Sequence, residues 1–218
     1  MIYEWIPVLK PIQITILKSE MSSLAPEIQK KVEDLWSSES KVKDLYDGEI
    51  LNFVDLQKEK LLCRIESYKH YFARKKFPEL IPFICPIAVT AITQCSNKYL
   101  VGVRSERVFK YPKHWEFVPA GTLDSNKNPE QQILIELLEE TGISSENVKE
   151  ISLKFLLHNF SEPFLEFCYI IQVDNPKITL NSEYDNLCWK SETEIRSSFR
   201  KDLWVPCGET IFQKLVLI

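Results

Sequence analysis

The feature of this sequence that most constrains its fold is one helix with clear start and stop signals, set between groups of strand-like segments. Asn128 is a suitable N-cap, Pro129 suits the first helical position, and Gln131 completes a capping box. Gly142 supplies the residue at which such a helix stops. Between these signals, apolar residues recur at three- and four-residue spacing: Ile133, Leu134, Leu137 and Leu138. The sequence therefore predicts an amphipathic helix that begins at Pro129 and ends before Gly142.

This helix carries three carboxylates on one face. Glu136, Glu139 and Glu140 are spaced i, i+3 and i+4, and no lysine or arginine occurs between residues 129 and 143. Like charges at this spacing cost about 0.2–0.5 kcal/mol per pair, and anions in the last turn oppose the helix dipole. A bound cation would neutralise the face, and oxygen-only ligands favour Mg²⁺ or Mn²⁺. A solvated acidic surface is the alternative.

Strand signals lie on both sides of the helix, and two helices close the chain. The strand-like segments are 83–93, 99–105 and 115–123 before the helix, and 150–160, 165–174 and 187–190 after it. A turn is expected at Asn175-Pro176, and helical patterns cover 191–200 and 207–218. A helix embedded among strands predicts a mixed α/β domain.

The first 80 residues form a separate block. A strand-like opening is followed by an amphipathic helix over 22–36, a turn at Asp47-Gly48, a strand over 49–56, and a segment at 60–75 that runs from strand into helix. Pro78 and Pro82 then interrupt the pattern. We expect a small α+β extension over residues 1–80 and a main domain over residues 81–218.

Composition narrows the classes of function. The formal net charge of −4 argues against a protein that mainly grips nucleic acid, so a nucleic-acid partner is not expected. No apolar run reaches the roughly 18 residues of a membrane span, and the opening residues lack the pattern of a signal peptide. Six scattered cysteines without a CxxC motif indicate reduced thiols, as in a cytoplasmic protein. The three histidines are isolated from one another, so none is expected to be catalytic. The sequence contains no GxxxxGK[ST] or GxGxxG motif, so any phosphate group would have to be bound by metal ions and side chains rather than by a glycine-rich loop.

Residues 121–143 resemble the Nudix box, GX5EX7REUXEEXGU, in which U is a bulky aliphatic residue. The matching positions are Gly121, Glu136, Leu137, Glu139, Glu140, Gly142 and Ile143, and the preceding WEFVPAG resembles the strand and turn that lead into the box. Two positions depart: Lys127 stands in place of the first glutamate and Ile135 in place of the arginine. In the family that arginine orients a neighbouring glutamate, a role that Ile135 cannot fill.

The resemblance, which covers roughly residues 83–218, implies a fold, an activity and a site. The fold would be an α/β/α sandwich with a mixed sheet, and the activity would be metal-dependent cleavage of a diphosphate linkage in a nucleoside diphosphate derivative. Glu136 would act as base or further ligand, while Glu139, Glu140 and the carbonyl of Ala120 would bind Mg²⁺ or Mn²⁺. The residues 32–36, 45–53 and 68–72 loosely resemble the Nudix branch that cleaves UDP-sugars. The alternative is a Nudix-fold module that binds a nucleotide or RNA without turnover.

The resemblance also implies one ligand outside the helix. Glu183, six residues before Trp189, would complete the metal shell from a loop. Glu166 is the competitor for this role and also a candidate substrate contact, and Asp185 is a third acid in the region. Arg104, at the end of a predicted strand, is a second candidate for contact with the substrate. The sequence leaves the exact substrate, the number of metal ions and the oligomeric state undetermined.

Overall fold

The structure is a computed structural model that describes residues 3–17, 23–41, 45–174 and 177–216. The strands are β1 (Tyr3–Pro7), β2 (Gln13–Ile16), β3 (Glu49–Gln57), β4 (Lys60–Ser67), β5 (Ile87–Cys95), β6 (Lys98–Arg104), β7 (Trp115–Phe117), β8 (Ala120–Thr122), β9 (Val148–Asn159), β10 (Phe164–Val173) and β11 (Tyr184–Ser191). The helices are α1 (Pro26–Glu39), α2 (Tyr68–Arg74), α3 (Pro129–Thr141), α4 (Glu192–Ser198) and α5 (Gly208–Val216). A short 3-10 turn covers Ser145–Asn147.

Most of these elements follow the sequence pattern. The bracketed helix begins at Pro129 and ends at Thr141, as its capping signals predict. One prediction was too simple: the segment 115–123 is not one strand but two, β7 and β8, with Pro119 between them. Proline lacks the N–H that a central ladder position needs, so the strand is interrupted there. The turn predicted at Asn175-Pro176 lies outside the described residues.

The strands form two sheets. In an eight-stranded sheet, six strands follow the order β1-β9-β10-β5-β6-β11, while β7 pairs with β6 and β8 pairs with β5. A three-stranded sheet has the order β2-β4-β3, with β2 parallel and β3 antiparallel to β4. With five helices among the described residues, this confirms the predicted mixed α/β fold. No helix in the described ranges is long and apolar enough to cross a membrane.

The chain separates into two compact units, of which the first comprises residues 1–88, 122–128 and 156–166. It contains the three-stranded sheet and the helices α1 and α2. The centre of its helical part is a buried cluster of Val32, Ala73, Ile81 and Ile84. Ile28 and Leu35 of α1 pack against this cluster, and so does Leu24, which precedes the helix. The apolar stripe predicted for this helix is therefore buried where the helix meets the core of the unit.

The second unit comprises residues 89–121, 129–155 and 167–218, and it contains all three glutamates of α3. On α3, Ile133 and Leu137 of the predicted apolar stripe are fully buried, whereas Leu138 is 50% exposed. The buried face of the helix instead includes Glu140 and Gln132. An aromatic cluster forms another part of the core, where the rings of Phe117 and Phe212 stack with centroids 5.3 Å apart. Three strands of this unit, β7, β6 and β11, are paired side by side, and they supply the charged network described below.

Candidate metal centre

The three glutamates of α3 differ in their burial. Glu140 is 2% exposed, Glu136 is half-buried and Glu139 is exposed. The helix stops at Gly142, whose φ of 73° lies in the left-handed region, and the Gly142 N–H donates to the Leu138 carbonyl at 2.8 Å. The acidic face is therefore not a uniformly solvated surface, because one of its carboxylates is buried in the protein.

Glu140 lies beside β8, the strand on which the Nudix-like segment begins. Its Oε2 accepts a hydrogen bond from the Ala120 N–H at 3.3 Å. Burial, and then the negative charges of Glu136, Glu116 and Glu183, raise the pKa of Glu140 well above its ordinary value, while Arg104 partly offsets them. A buried carboxylate surrounded by other carboxylates is an unfavourable arrangement that a cation would relieve.

Glu136 packs directly on the backbone of β8. A Cβ atom added to Gly121 would lie 2.9 Å from the Cγ of Glu136 and closer still to its carboxylate. Gly121 is therefore needed for space rather than for an unusual backbone angle. The Glu136 Oε1 also accepts a hydrogen bond from the Nε2 of Gln132, one turn earlier on α3, at 2.8 Å.

The loop that carries Glu183 is attached to the end of α3. The Thr179 N–H donates to the Thr141 carbonyl at 2.7 Å, and the side chain of Asn181 donates to the Glu139 carbonyl at 3.2 Å. Asn181 also accepts from the Glu183 N–H at 3.0 Å. These bonds satisfy carbonyl groups that a helix end leaves open, and they place Glu183 near the acids of α3.

The electrostatic environment of Glu183 reflects this position. Although Glu183 is an exposed residue, partial desolvation of its carboxylate raises its pKa, and Glu116 and Glu139 act in the same direction while Arg104 opposes them. The negative charge of Glu183 also raises the pKa of Glu140. The loop acid and the helix acids thus belong to one cluster.

A buried network of Arg104, Glu116 and Tyr184 lies next to this cluster. Glu116 is 5% exposed, pairs with the guanidinium of Arg104, and accepts a hydrogen bond from the Tyr184 hydroxyl at 2.8 Å. The Arg104 Nε donates to the Lys110 carbonyl at 2.9 Å. Burial, the largest single effect, lowers the pKa of Arg104, but the charge and hydrogen bond of Glu116 together with the charges of Tyr184 and Glu140 outweigh it, so the pKa is raised. Arg104 is the cation of this network, and two of its donor nitrogens are engaged within the protein.

The strand register explains how this network forms. Arg104 and Glu116 come from the paired strands β6 and β7, and Tyr184 lies opposite Arg104 in the pairing of β11 with β6. Gly102, opposite Glu116, leaves space for the tyrosine ring, since a Cβ there would lie 2.6 Å from Tyr184 Cε1. The glycine in the middle of a strand is thus explained by the ring beside it.

The structure brings most of the predicted site residues together. Ala120, Glu136, Glu139, Glu140, Glu183 and Arg104 all belong to the second unit and interact as described above. Glu166 belongs to the first unit, where it is buried on β10. Asp185 is paired with Lys113, at 2.7 Å between Oδ2 and Nζ.

Sequence reasoning missed three residues of the site: Gln132, Glu116 and Tyr184. Gln132 lies four residues before Glu136, a spacing that places the two side chains next to each other on a helix. The sequence does not show, however, that Gln132 is buried. Glu116 was visible as an acid between two aromatic residues in a strand. Its partner on another strand depends on register, which the sequence alone does not specify.

The donor chemistry of the cluster fits a hard divalent cation, since all of the side-chain donors are carboxylates. In the part of the chain that the structure describes, no three His, Cys, Asp or Glu side chains are placed to hold one metal ion together. Binding would therefore require side-chain rotation. Glu139 and Glu183 are both exposed, so this rotation needs no rearrangement of the core.

Two of the histidines, His70 and His158, belong to the first unit, as does Cys85. In the first unit, Cys85 Sγ lies 3.9 Å from His158 Nε2. Burial raises the pKa of the Cys85 thiol to about 12 and lowers the pKa of His158, so both groups are neutral near pH 7 and the thiol is not activated. His70 is paired with buried Glu66 at 2.8 Å.

The architecture and the acidic cluster define a class, and comparison with known proteins identifies it. The family model for the NUDIX domain matches residues 86–212. The chain therefore belongs to the Nudix family, as the resemblance of residues 121–143 predicts. A comparison with curated proteins found no match.

Solved structures share this fold at low sequence identity. A bifunctional NMN adenylyltransferase/ADP ribose pyrophosphatase from Francisella tularensis is 20% identical with a TM-score of 0.55, over 67% of this chain and 45% of that one. The NUDIX domain of NrtR from Shewanella oneidensis, solved in complex with ADP ribose, is 14% identical with a TM-score of 0.51, over 61% of this chain and 87% of that one. Identities this low show a common fold and no more.

Proposed function

We propose that this chain is a Nudix hydrolase that uses a divalent cation, Mg²⁺ or Mn²⁺, to cleave a diphosphate linkage in a nucleoside diphosphate derivative. The observation that carries the proposal is the placement of Glu140. This buried carboxylate is surrounded by Glu116, Glu136 and Glu183, with Arg104 as the cation that offsets them. These carboxylates repel one another, and a divalent cation bound among them would offset that repulsion by attracting each of them.

The chain supplies the ligands from three places. Glu139 and Glu140 would bind the cation from α3, the Ala120 carbonyl from β8, and Glu183 from the loop attached to the end of α3. When bound, the cation supplies Lewis-acid stabilisation of charge on the phosphoryl oxygens. Glu136, held at β8, would accept a proton from the attacking water or act as a further ligand.

Arg104 has two candidate roles, as the partner of Glu116 within the protein and as a contact for substrate phosphate. The contacts in the structure support the first. Its guanidinium keeps the buried Glu116 paired, so that the additional negative charge near the site is compensated. Contact with substrate phosphate would use the donors that Glu116 and Lys110 leave open. Glu166 stays the second candidate for a substrate contact.

For the substrate class, we propose a nucleoside diphosphate linked to a second group, with UDP-sugars as the first to test. The support for UDP-sugars is the loose resemblance of three segments within residues 1–80.

We also propose that the chain divides into an extension over residues 1–80 and a Nudix domain over residues 81–218. The six cysteines are all free, and this supports a location in a reducing compartment such as the cytoplasm.

The second candidate is a Nudix-fold module that binds a nucleotide or RNA and does not hydrolyse it. The departures at Lys127 and Ile135 favour this reading, because they remove both charged residues of the first part of the box. The acidic cluster opposes it, since a binding module without a cation has no need for a buried carboxylate among other carboxylates.

A substrate screen separates the two candidates. UDP-glucose, UDP-galactose, ADP-ribose, dinucleoside polyphosphates and oxidised nucleotides would be incubated with the protein in Mg²⁺, in Mn²⁺ and in EDTA. We expect products from at least one compound, only with metal, and their loss in Glu139→Gln. Glu130→Gln, an exposed acid in the first turn of the same helix, is the control and should keep activity. Binding without products would favour the second candidate.

A further inference from the structure

Glu136 occupies a position that its own helix and the neighbouring strand define from two sides. On one side its carboxylate lies against β8, where Gly121 has no Cβ to displace it. On the other side the Nε2 of Gln132 donates to its Oε1 at 2.8 Å. A carboxylate on a flexible side chain would otherwise sample several rotamers, so these two contacts select its direction.

Gln132 is itself held in place. It is 5% exposed, lies one turn before Glu136 on α3, and is followed by the fully buried Ile133. A buried amide is usually hydrogen-bonded, so the donor is committed to a nearby acceptor rather than to water. Because the side chain is confined, the hydrogen bond fixes the carboxylate as well as satisfying the amide.

The neutrality of the amide matters at this position. Ile135, which stands where the family has an arginine, cannot donate a hydrogen bond. Gln132 restores a donor from the neighbouring turn without adding a positive charge beside Glu140. A neutral donor leaves the full negative charge of the cluster available for a cation.

We propose that Gln132 is a positioning residue that aims the Glu136 carboxylate across Gly121 toward the cation and the attacking water. This rests on the proposed function and deepens it, since it explains how the site dispenses with the arginine of the box. Gln132 does not touch the reacting atoms and acts only through Glu136.

A double-mutant cycle measured by Mn²⁺ binding tests this inference without a known substrate. The variants are Gln132→Met, which keeps the length of the side chain and removes the donor, Glu136→Gln, and the two combined. Isothermal titration calorimetry with Mn²⁺ alone gives the affinity of each. We expect Gln132→Met to weaken Mn²⁺ binding by about 10-fold or more, as partners of metal ligands commonly do. In the Glu136→Gln background the same substitution should change the affinity by less than about twofold, because the carboxylate through which it acts is gone.

The chain offers a matched control in α1. Gln29 Nε2 donates to Glu33 Oε1 at 2.8 Å with the same i,i+4 spacing, so Gln29→Met removes an equivalent hydrogen bond in the first unit. It should leave Mn²⁺ affinity unchanged. Thermal unfolding in EDTA measures the structural cost of each substitution separately. A purely structural Gln132 would lower the melting temperature and leave the affinity unchanged.

The outcomes distinguish the two levels of the proposal. If wild type binds no Mn²⁺, the proposed function fails and the inference fails with it. If wild type binds Mn²⁺ but Gln132→Met binds it equally well, or loses affinity to the same extent in the Glu136→Gln background, the inference alone is overturned.

Discussion

Substitution of Gly121 by alanine should separate the chemistry of the site from the stability of the fold. The added Cβ would lie 2.9 Å from Glu136 Cγ, whereas ordinary contact begins at 3.4 Å, so Cγ must move by at least the difference of 0.5 Å. The carboxylate lies nearer to the new atom and must move on the order of 1 Å, a misplacement that can cost about 100-fold in rate. We therefore expect Gly121→Ala to lower kcat by about 100-fold.

The effect of Gly121→Ala on stability should be small. The obstructing atoms are the far end of a half-buried side chain, which can turn toward solvent, and not a packed core group. We expect a loss of about 1 kcal/mol, at the low end for overpacking, which is about 2–4 °C in melting temperature for a protein of this size. Steady-state kinetics on the best compound from the screen and scanning calorimetry measure the two quantities.

A glycine in the first unit provides the control for this experiment. A Cβ at Gly48 would meet only the ring of Tyr46, at 3.5 Å, which is ordinary contact. Gly48→Ala should therefore keep both activity and melting temperature. If Gly121→Ala also keeps full activity, the packing of Glu136 on β8 has no role in the reaction, and the reasoning is refuted.

Three further predictions concern single acids. Glu139→Gln should lower the rate by about 100-fold or more through loss of a ligand, without lowering the melting temperature of the metal-free protein; unchanged activity would show that this face is only solvated. Glu183→Ala should lower turnover at least about 10-fold while the melting temperature stays within about 2 °C. If Glu183→Ala is fully active and Glu166→Ala is inactive, the ligand is Glu166 instead. Burial raises the pKa of Glu140 in the folded state above its unfolded value of about 4.3. Glu140 therefore contributes to the free energy of unfolding at a pH below about 4.3, and this contribution is lost as the pH rises through the folded-state pKa. Denaturant unfolding in EDTA should thus show Glu140→Gln gaining stability over wild type as pH rises, and a pH-independent difference would contradict this.

The local elements of the site were predictable because their causes are local. The helix from Pro129 to Thr141 follows from its capping residues and apolar stripe, and the shared face of its glutamates follows from helical periodicity. The family match at residues 86–212 confirms the family that the spacing of Gly121 and the acids of α3 indicated.

The rest of the site depends on packing between distant segments. Nothing near Glu116 in the sequence indicates Arg104 as its partner, because the pairing arises from the register of β6 with β7. The predicted strand 115–123 is divided at Pro119, whose effect on strand pairing is a property that the sequence does show. The sequence does not show which residues of α3 pack against the core, so the burial of Gln132 is visible only in the structure.

The measurement that tests the central claim most directly is thermal unfolding during a titration with Mn²⁺. A cation that binds only the folded protein at 100 times its Kd should add about 2.7 kcal/mol, which is on the order of 5–10 °C for a chain of this length. We predict this rise for wild type, its reversal by EDTA, and its loss in the double variant Glu139→Gln/Glu140→Gln. A melting temperature that Mn²⁺ leaves unchanged in wild type, or raises equally in the double variant, would contradict the assignment of the acidic cluster as the metal centre.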